Sequence, residues 1–353
     1  MPDREYGESG FQVPPVTLQG RHFCVAAPLD FAEACFSVSA VRALHNFSPE
    51  AQIVVLCPVN QLALWQRGLP EVDSVLGYRR GASAASIASI LKACDVEFES
   101  AIVWEAGNAA AALKKIGVAQ RVGYSLPHLE KWLTDTVPMI ERPGPVEHRV
   151  RYYLGLIKLL GANAFVRSSF ETPPLPPPPE EIRIALAPLS EYGPSYQWPV
   201  ARFVELINVV NERYAGVCWT IFDRQDGRSG AEGLEVFEDL LDHGDTETSE
   251  HWEREGFFDQ LAACSVLLAC DGELPHMAAH IGLPATVIFG PNSPEWKRPV
   301  SKGSVVVREH VACSPCYMKR CPLDHRCQNE VTVKMVMDGL ERAIRMRYES
   351  APA

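Results

Sequence analysis

The segment with the most chemical content runs from Leu267 to Trp296, LLACDGELPHMAAHIGLPATVIFGPNSPEW. An apolar strand ends in Cys270-Asp271-Gly272, and a helix starts near Pro275. Backbone N–H groups at such a start lack intrahelical partners and carry partial positive charge, which suits a phosphate oxygen. His276 falls in the first turn, where its ring can donate to an anionic oxygen, and Ala278 and Ala279 let the helix pack closely. The plainer reading makes Asp271 an N-terminal cap and His276 a surface residue. A second strand ends in Phe289-Gly290-Pro291 and brings a tight turn to the same edge.

A second cluster follows. Cys313, Cys316, Cys321 and Cys327 have the spacing C-x2-C-x4-C-x5-C, with His310 and His325 nearby. Four thiolates so spaced can close a tetrahedral structural zinc site. Free thiols, or a disulfide formed on oxidation, are the alternatives. The other seven of the 11 cysteines, among them Cys24, Cys57, Cys218 and Cys270, lie in or beside apolar runs and read as small buried hydrophobes.

The elements that must position these residues repeat along the chain. His22–Ala26, Ile53–Cys57 and Ala101–Trp104 are short apolar runs that read as strands. Between the first two, Phe36, Ala40, Val41 and Leu44 mark one face of a helix. Residues 1–20 show no periodicity and read as a loose tail. The stretch 171–181, ETPPLPPPPEE, holds six prolines, which cannot join a helix or a central strand, and reads as a stiff linker. A second strand–helix series starts behind it with Ile182–Ala187. Trp198-Pro199 opens a helix that carries Phe203, Leu206, Ile207 and Val210. Val217–Phe222, Ser265–Ala269, Ala285–Phe289 and Ser304–Val307 are the next strands, and a last helix carries Val333, Val336, Met337, Leu340 and Ile344. The pattern predicts an α/β protein with two parallel-sheet domains, 21–170 and 182–330, facing a cleft. Ligands usually bind at the carboxyl ends of such strands.

Composition narrows the function. The chain has 353 residues, a length that favours two domains at about 100–200 residues each. With 33 Lys and Arg against 44 Asp and Glu, the net charge is −11, which argues against a general nucleic-acid binder. No apolar run approaches the ~20 residues of a membrane-spanning helix, and the polar N-terminus does not read as a signal peptide, so a soluble cytoplasmic protein is expected. G-x-G-x-x-G after the first strand, G-x-x-x-x-G-K-[ST], H-E-x-x-H and G-x-S-x-G are all absent; Gly227, Gly230 and Gly233 read as a polar loop.

The motifs together resemble glycosyltransferase family 9, the ADP-heptose:lipopolysaccharide heptosyltransferases. Asp271–Pro284 is similar to the family's D-[ST]-G-x-x-H-L-A-A-x-x-G-x-P, and Phe289–Pro294 to F-G-P-T-x-P. Cys313-Ser314-Pro315-Cys316, Cys321-Pro322 and His325-Arg326-Cys327 match the C-S-P-C and C-P…H-x-C that many members carry. Ser39–Leu44 looks like its P-A-L-R-A-L helix and Pro70–Leu76 like P-x-V-D-x-V-I, so the resemblance extends over about residues 21–345. It implies a GT-B fold of two Rossmann-like domains, acceptor mainly on the first and nucleotide-sugar on the second. Residues 331–353 would form a C-terminal helix crossing back to the first domain.

The implied reaction is inverting transfer of a sugar, of the heptose type, from an ADP-sugar to a lipopolysaccharide-core or related glycolipid acceptor. No cofactor is required for it, and the work would be done at the inner face of the inner membrane with at most peripheral membrane contact. The family's catalytic Asp aligns with Glu33, with Asp30 in reserve. Asp271, Gly272, Glu273, His276, Gly290 and Tyr196 fall on donor-binding positions. Three positions depart from the pattern: G-D reads Ala32-Glu33, K-x-W-P reads Tyr196-Gln197-Trp198-Pro199, and the Gly of D-[ST]-G is Glu273. They keep open a catalytically impaired nucleotide-sugar-binding relative and a GT-B-shaped sugar-nucleotide epimerase.

Overall fold

The computed structural model describes residues 16–139, 147–222, 237, 246–248 and 256–349. The tail before residue 16 and the loop of Gly227, Gly230 and Gly233 lie outside the described residues. Two separate six-stranded parallel sheets form, as the two strand–helix series predict. The first contains β1 (His22–Ala26), β2 (Gln52–Pro58), β3 (Ser74–Tyr78), β4 (Ser100–Val103), β5 (Gln120–Tyr124) and β6 (Asp135–Val137), in the order β3-β2-β1-β4-β5-β6. The second contains β7 (Arg183–Ala187), β8 (Cys218–Ile221), β9 (Thr246–Thr248), β10 (Val266–Cys270), β11 (Ala285–Ile288) and β12 (Ser304–Val307), in the order β12-β11-β10-β7-β8-β9.

Helices cover both faces, so the central strands are apolar throughout: β1 beyond His22, β4, β10 and β11 are buried along their length. Residues 171–180 contain no helix or strand and join the two domains. Residues 16–20 also form no element, yet they are not free: the Gln19 N–H donates to Ser100 Oγ at 3.0 Å and to Gln120 Oε1 at 2.8 Å.

The helix Phe31–Phe47 is buried on all sides from Phe31 to Leu44 except at Glu33. Its spacing predicts one apolar face, but it lies between the first sheet and the helix Leu274–His280 of the second domain. The His280 Nε2 lies 2.6 Å from the Cys35 carbonyl oxygen, and one apolar cluster continues from Phe36 and Val38 to Met277, Ala278 and Phe289. The expected cleft is therefore closed by packing along this helix.

The helix Val333–Glu349 packs mainly on the second domain. Val333, Val336, Met337, Leu340, Ala343 and Ile344 all pack into the core of the second domain, with Ile184, Leu268 and Val307. Its end reaches the linker, where Arg347 Nη2 donates to the Pro176 carbonyl at 2.6 Å and the Tyr348 hydroxyl to Pro179 at 3.0 Å. The same end, at Met346 and Arg347, lines one groove with Val150 and Arg151 of the first domain.

Candidate functional site

The carboxyl ends of β1 and β4 in the first domain and of β7, β10 and β11 in the second converge at the domain junction. Glu33 points into this junction from the first turn of Phe31–Phe47. Arg149 Nε donates to both its oxygens at 3.1 Å, Arg149 Nη2 to Oε2 at 2.7 Å and the Tyr153 hydroxyl to Oε2 at 2.7 Å. Lys297 Nζ, from the second domain, lies 3.6 Å from Oε1. Burial works to raise the Glu33 pKa, but hydrogen bonding and charge from Arg149, then Tyr153 and Lys297, outweigh it and leave the pKa below the ordinary value. Glu33 is therefore an ionised carboxylate at neutral pH.

Asp30 corrects the reserve assignment. It is the helix N-cap, in extended backbone, and its Oδ1 accepts the Glu33 N–H at 3.0 Å. The helix begins after it, so its carboxylate is committed to capping. Sequence reasoning passed over Glu105, directly beyond β4 at the same sheet edge. Its Oε1 accepts the Leu29 N–H at 2.7 Å, and burial, with Asp30 and Glu33 nearby, raises its pKa. An acidic residue right after an apolar strand was the available signal. Arg149 and Lys297 were also missed, because nothing local marks them.

On the second domain, Asp271 is 1% exposed. Its Oδ2 accepts from Asn292 Nδ2 at 2.8 Å, and its backbone carbonyl accepts from the Ser190 hydroxyl at 2.6 Å. Burial pushes its pKa up to about 7, and Glu191 adds to the rise against Asn292 and Lys297. Asp271 is not the helix cap; that position is Glu273.

The helix start itself is taken by protein. Glu191 Oε2 accepts the Glu273 N–H at 3.1 Å, and a Cβ on Gly272 would stand 2.5 Å from the same oxygen. A carboxylate of the chain thus occupies a position where a phosphate was expected, and a side chain at 272 would push it aside.

His276 reaches the junction but not as a surface donor. It is 2% exposed, and its ring meets Phe36 of the first domain edge-on at 5.0 Å. Burial, then His280, His148 and Lys297, push its pKa down to about 3, so the ring is neutral in the unliganded protein.

Tyr196 stacks edge-on with Tyr192 at 5.4 Å, and burial, then the Asp271 charge, raises its pKa to about 12. Gly290 abuts the Gln328 amide, where any Cβ would collide, and its carbonyl accepts from the Ser314 hydroxyl at 2.6 Å. All the donor-side candidates therefore lie along one sheet edge, with Asp271, Tyr192 and Tyr196 in mutual electrostatic reach.

Cys313, Cys316 and Cys321 lie close enough to act on Cys327, yet among the described residues no group of three or more His, Cys, Asp or Glu side chains is arranged to hold a metal ion. The segment is held by other bonds: the N–H groups of Cys316 and Tyr317 both donate to the Pro291 carbonyl, at 3.0 and 2.9 Å, and the Leu323 N–H donates to Cys321 Sγ at 3.4 Å. Cys313 is exposed, whereas Cys327 is buried, and burial together with the other three sulfurs raises its pKa to about 11. Iodoacetamide at pH 7 should therefore label Cys313 before Cys327, read by peptide mass spectrometry; equal rates would contradict this placement.

Asp271 also predicts a pH dependence. Its folded pKa, near 7, lies above the ordinary aspartate value of 3.8, so between about pH 4 and 7 the native state binds more protons than the unfolded state. Stability contributed by this group is complete below about pH 4 and lost as pH rises to 7. Urea unfolding across this range should show that Asp271→Asn loses part of that downward slope.

The fold and the site's position define a two-domain protein of GT-B architecture with its candidate site at the junction. Residues 167–326 match the family model of glycosyltransferase family 9 (heptosyltransferase). Lipopolysaccharide heptosyltransferase 2 of Salmonella typhimurium is 28% identical over 130 residues, which span 36% of this chain and 37% of that protein. The structure of the Escherichia coli ADP-heptose lipopolysaccharide heptosyltransferase II superposes with a TM-score of 0.71 at 21% identity, covering 94% of this chain and 100% of that one. A glycosyltransferase family 9 protein of Veillonella parvula superposes with a TM-score of 0.72 at 14% identity, covering 94% and 99%. The resemblance to glycosyltransferase family 9 is borne out, and the second domain carries it.

Proposed function

We propose that the protein is an inverting glycosyltransferase that moves a sugar, of the heptose type, from an ADP-sugar to a lipopolysaccharide-core or related cell-envelope glycolipid. The observation that carries this reading is the meeting of Glu33 and Lys297, 3.6 Å apart, one from each domain, beside the family-matched edge that holds Asp271 and Gly290. An inverting transfer needs a base for the acceptor hydroxyl and positive charge for the departing diphosphate. Glu33, ionised and held by Arg149 and Tyr153, would take the proton. Lys297 and Arg149 would face the leaving phosphates. Gly272, Glu273, Gly290 and Tyr196 would shape the nucleotide side, Asp271 would take a ligand hydrogen bond there, and His276 would contribute at most through its neutral ring. None of these steps calls on a metal.

Among the described residues no helix is long and apolar enough to cross a membrane. One observation favours a second reading, a nucleotide-sugar-binding relative with impaired catalysis: the Glu191 carboxylate sits on the Glu273 N–H. Incubation with ADP-, GDP- and UDP-sugars, with and without deacylated lipopolysaccharide core, separates the readings. Transfer with an ADP-sugar supports the first, binding without turnover the second, and isomerised donor without acceptor an epimerase.

A further inference from the structure

A groove of about 1270 Å³ opens at the end of the second sheet opposite Asp271. Small-molecule sites commonly measure about 300–1,000 Å³, so this one has room for a sizeable ligand. The linker segment Pro173–Pro178 forms one wall, and Pro284 and Gly303, which precede β11 and β12, form the floor. The ends of the helices Val150–Leu159 and Val333–Glu349 close it.

The lining is basic on a chain whose net charge is −11. Arg167, Arg298, Lys302 and Arg347 all face it, against one lining carboxylate, Glu171. A fifth cation, Arg151, is already paired with Glu147 at 3.0 Å. Arg347 is the most informative. It is only 7% exposed, its Nη2 is used by the Pro176 carbonyl, and its Nε has no partner. Among the described residues it forms no ion pair, and neither do Arg167, Arg298 or Lys302. A buried guanidinium without a counter-ion is costly, and an anion arriving in the groove would relieve that cost. The rest of the wall is apolar. Phe165 and Phe170 stand 41% and 37% exposed, beside Val300, Met346 and the prolines.

We infer that this groove binds one anionic amphiphile, its phosphate or carboxylate head at Arg347, Arg298 and Lys302 and its alkyl body along Phe165, Phe170 and the proline wall. The inference is independent of glycosyl transfer, and its test uses no sugar donor. Calorimetry on the full chain would compare dodecyl phosphate, below its micelle concentration, with dodecyl maltoside and with inorganic phosphate. One dodecyl phosphate per chain is expected, at least tenfold tighter than either control. The Arg298→Ala/Lys302→Ala variant, altered only at two exposed side chains, should weaken it at least tenfold with an unchanged thermal melt. Equal binding of dodecyl maltoside would reduce the groove to apolar surface, and equal binding of phosphate to a bare anion site. Unchanged affinity in the double variant, or no binding, would overturn the inference. So would capture on phosphatidylglycerol vesicles that excess dodecyl phosphate fails to displace, since that would indicate a membrane surface.

Discussion

Replacing Glu33 with Gln is expected to lower transfer at least 100-fold, within the roughly 10²–10⁴-fold that general base catalysis contributes, with little change in donor affinity. The amide cannot take the acceptor proton, yet it keeps the shape that Arg149 and Tyr153 grip. Single-turnover kinetics beside donor calorimetry would separate the two effects. The hydrogen bonds that hold Glu33 also depress its basicity, and Glu105, with its raised pKa, is the nearby alternative. If Glu105→Gln is the damaging change and Glu33→Gln is mild, Glu33 is a structural counter-ion and the base assignment moves to Glu105, just beyond β4. Asp30→Asn should cost about 1 kcal/mol of stability at most through the cap, and little activity.

Trp198→Ala should produce the largest loss of stability. The indole is 1% exposed, meets Phe203 edge-on at 4.9 Å, and its Nε1 donates to the Val331 carbonyl at 3.0 Å. Truncating a buried aromatic of this kind costs about 3–5 kcal/mol, and the Val331 carbonyl loses its partner as well. The backbone N–H of Trp198 donates to Cys270 Sγ at 3.2 Å, one residue before Asp271, a bond that the alanine variant keeps, so the loss should fall on stability first. Denaturant unfolding would measure the loss, and Trp198→Phe should recover most of the packing but not the bond to Val331. A loss below about 1 kcal/mol for the alanine variant would mean the core closes around the gap. The tryptophan of Trp198-Pro199 thus serves the core of the second domain.

Much of the architecture was legible in the sequence because it depends on local patterns. Apolar runs bounded by turn residues located eight strands, and the linker of six prolines divided them into two series. β3, β5, β6 and β9 escaped notice: β6 and β9 have three residues each, β3 and β5 carry Gly or polar residues in place of a continuous apolar run, and GlnArgValGlyTyr in β5 is buried only by its neighbours. The motif strings likewise located Asp271 and Gly290, since a strand followed by a tight turn puts its last residues at the sheet's carboxyl edge. What those residues do there depended on partners far away in sequence. Arg149 and Tyr153 grip Glu33 from 116 and 120 positions further on, and Glu191 reaches the helix start at Glu273 across 82. His276 lost its expected exposure because Phe36 of the other domain covers it, and the peptides of Cys316 and Tyr317 are held by the carbonyl of Pro291, some 25 positions earlier. Spacing along the chain specifies which side chains share an element. Which elements meet, and so which charges are paired, buried or left alone as at Arg347, is decided only when two domains and a linker pack together.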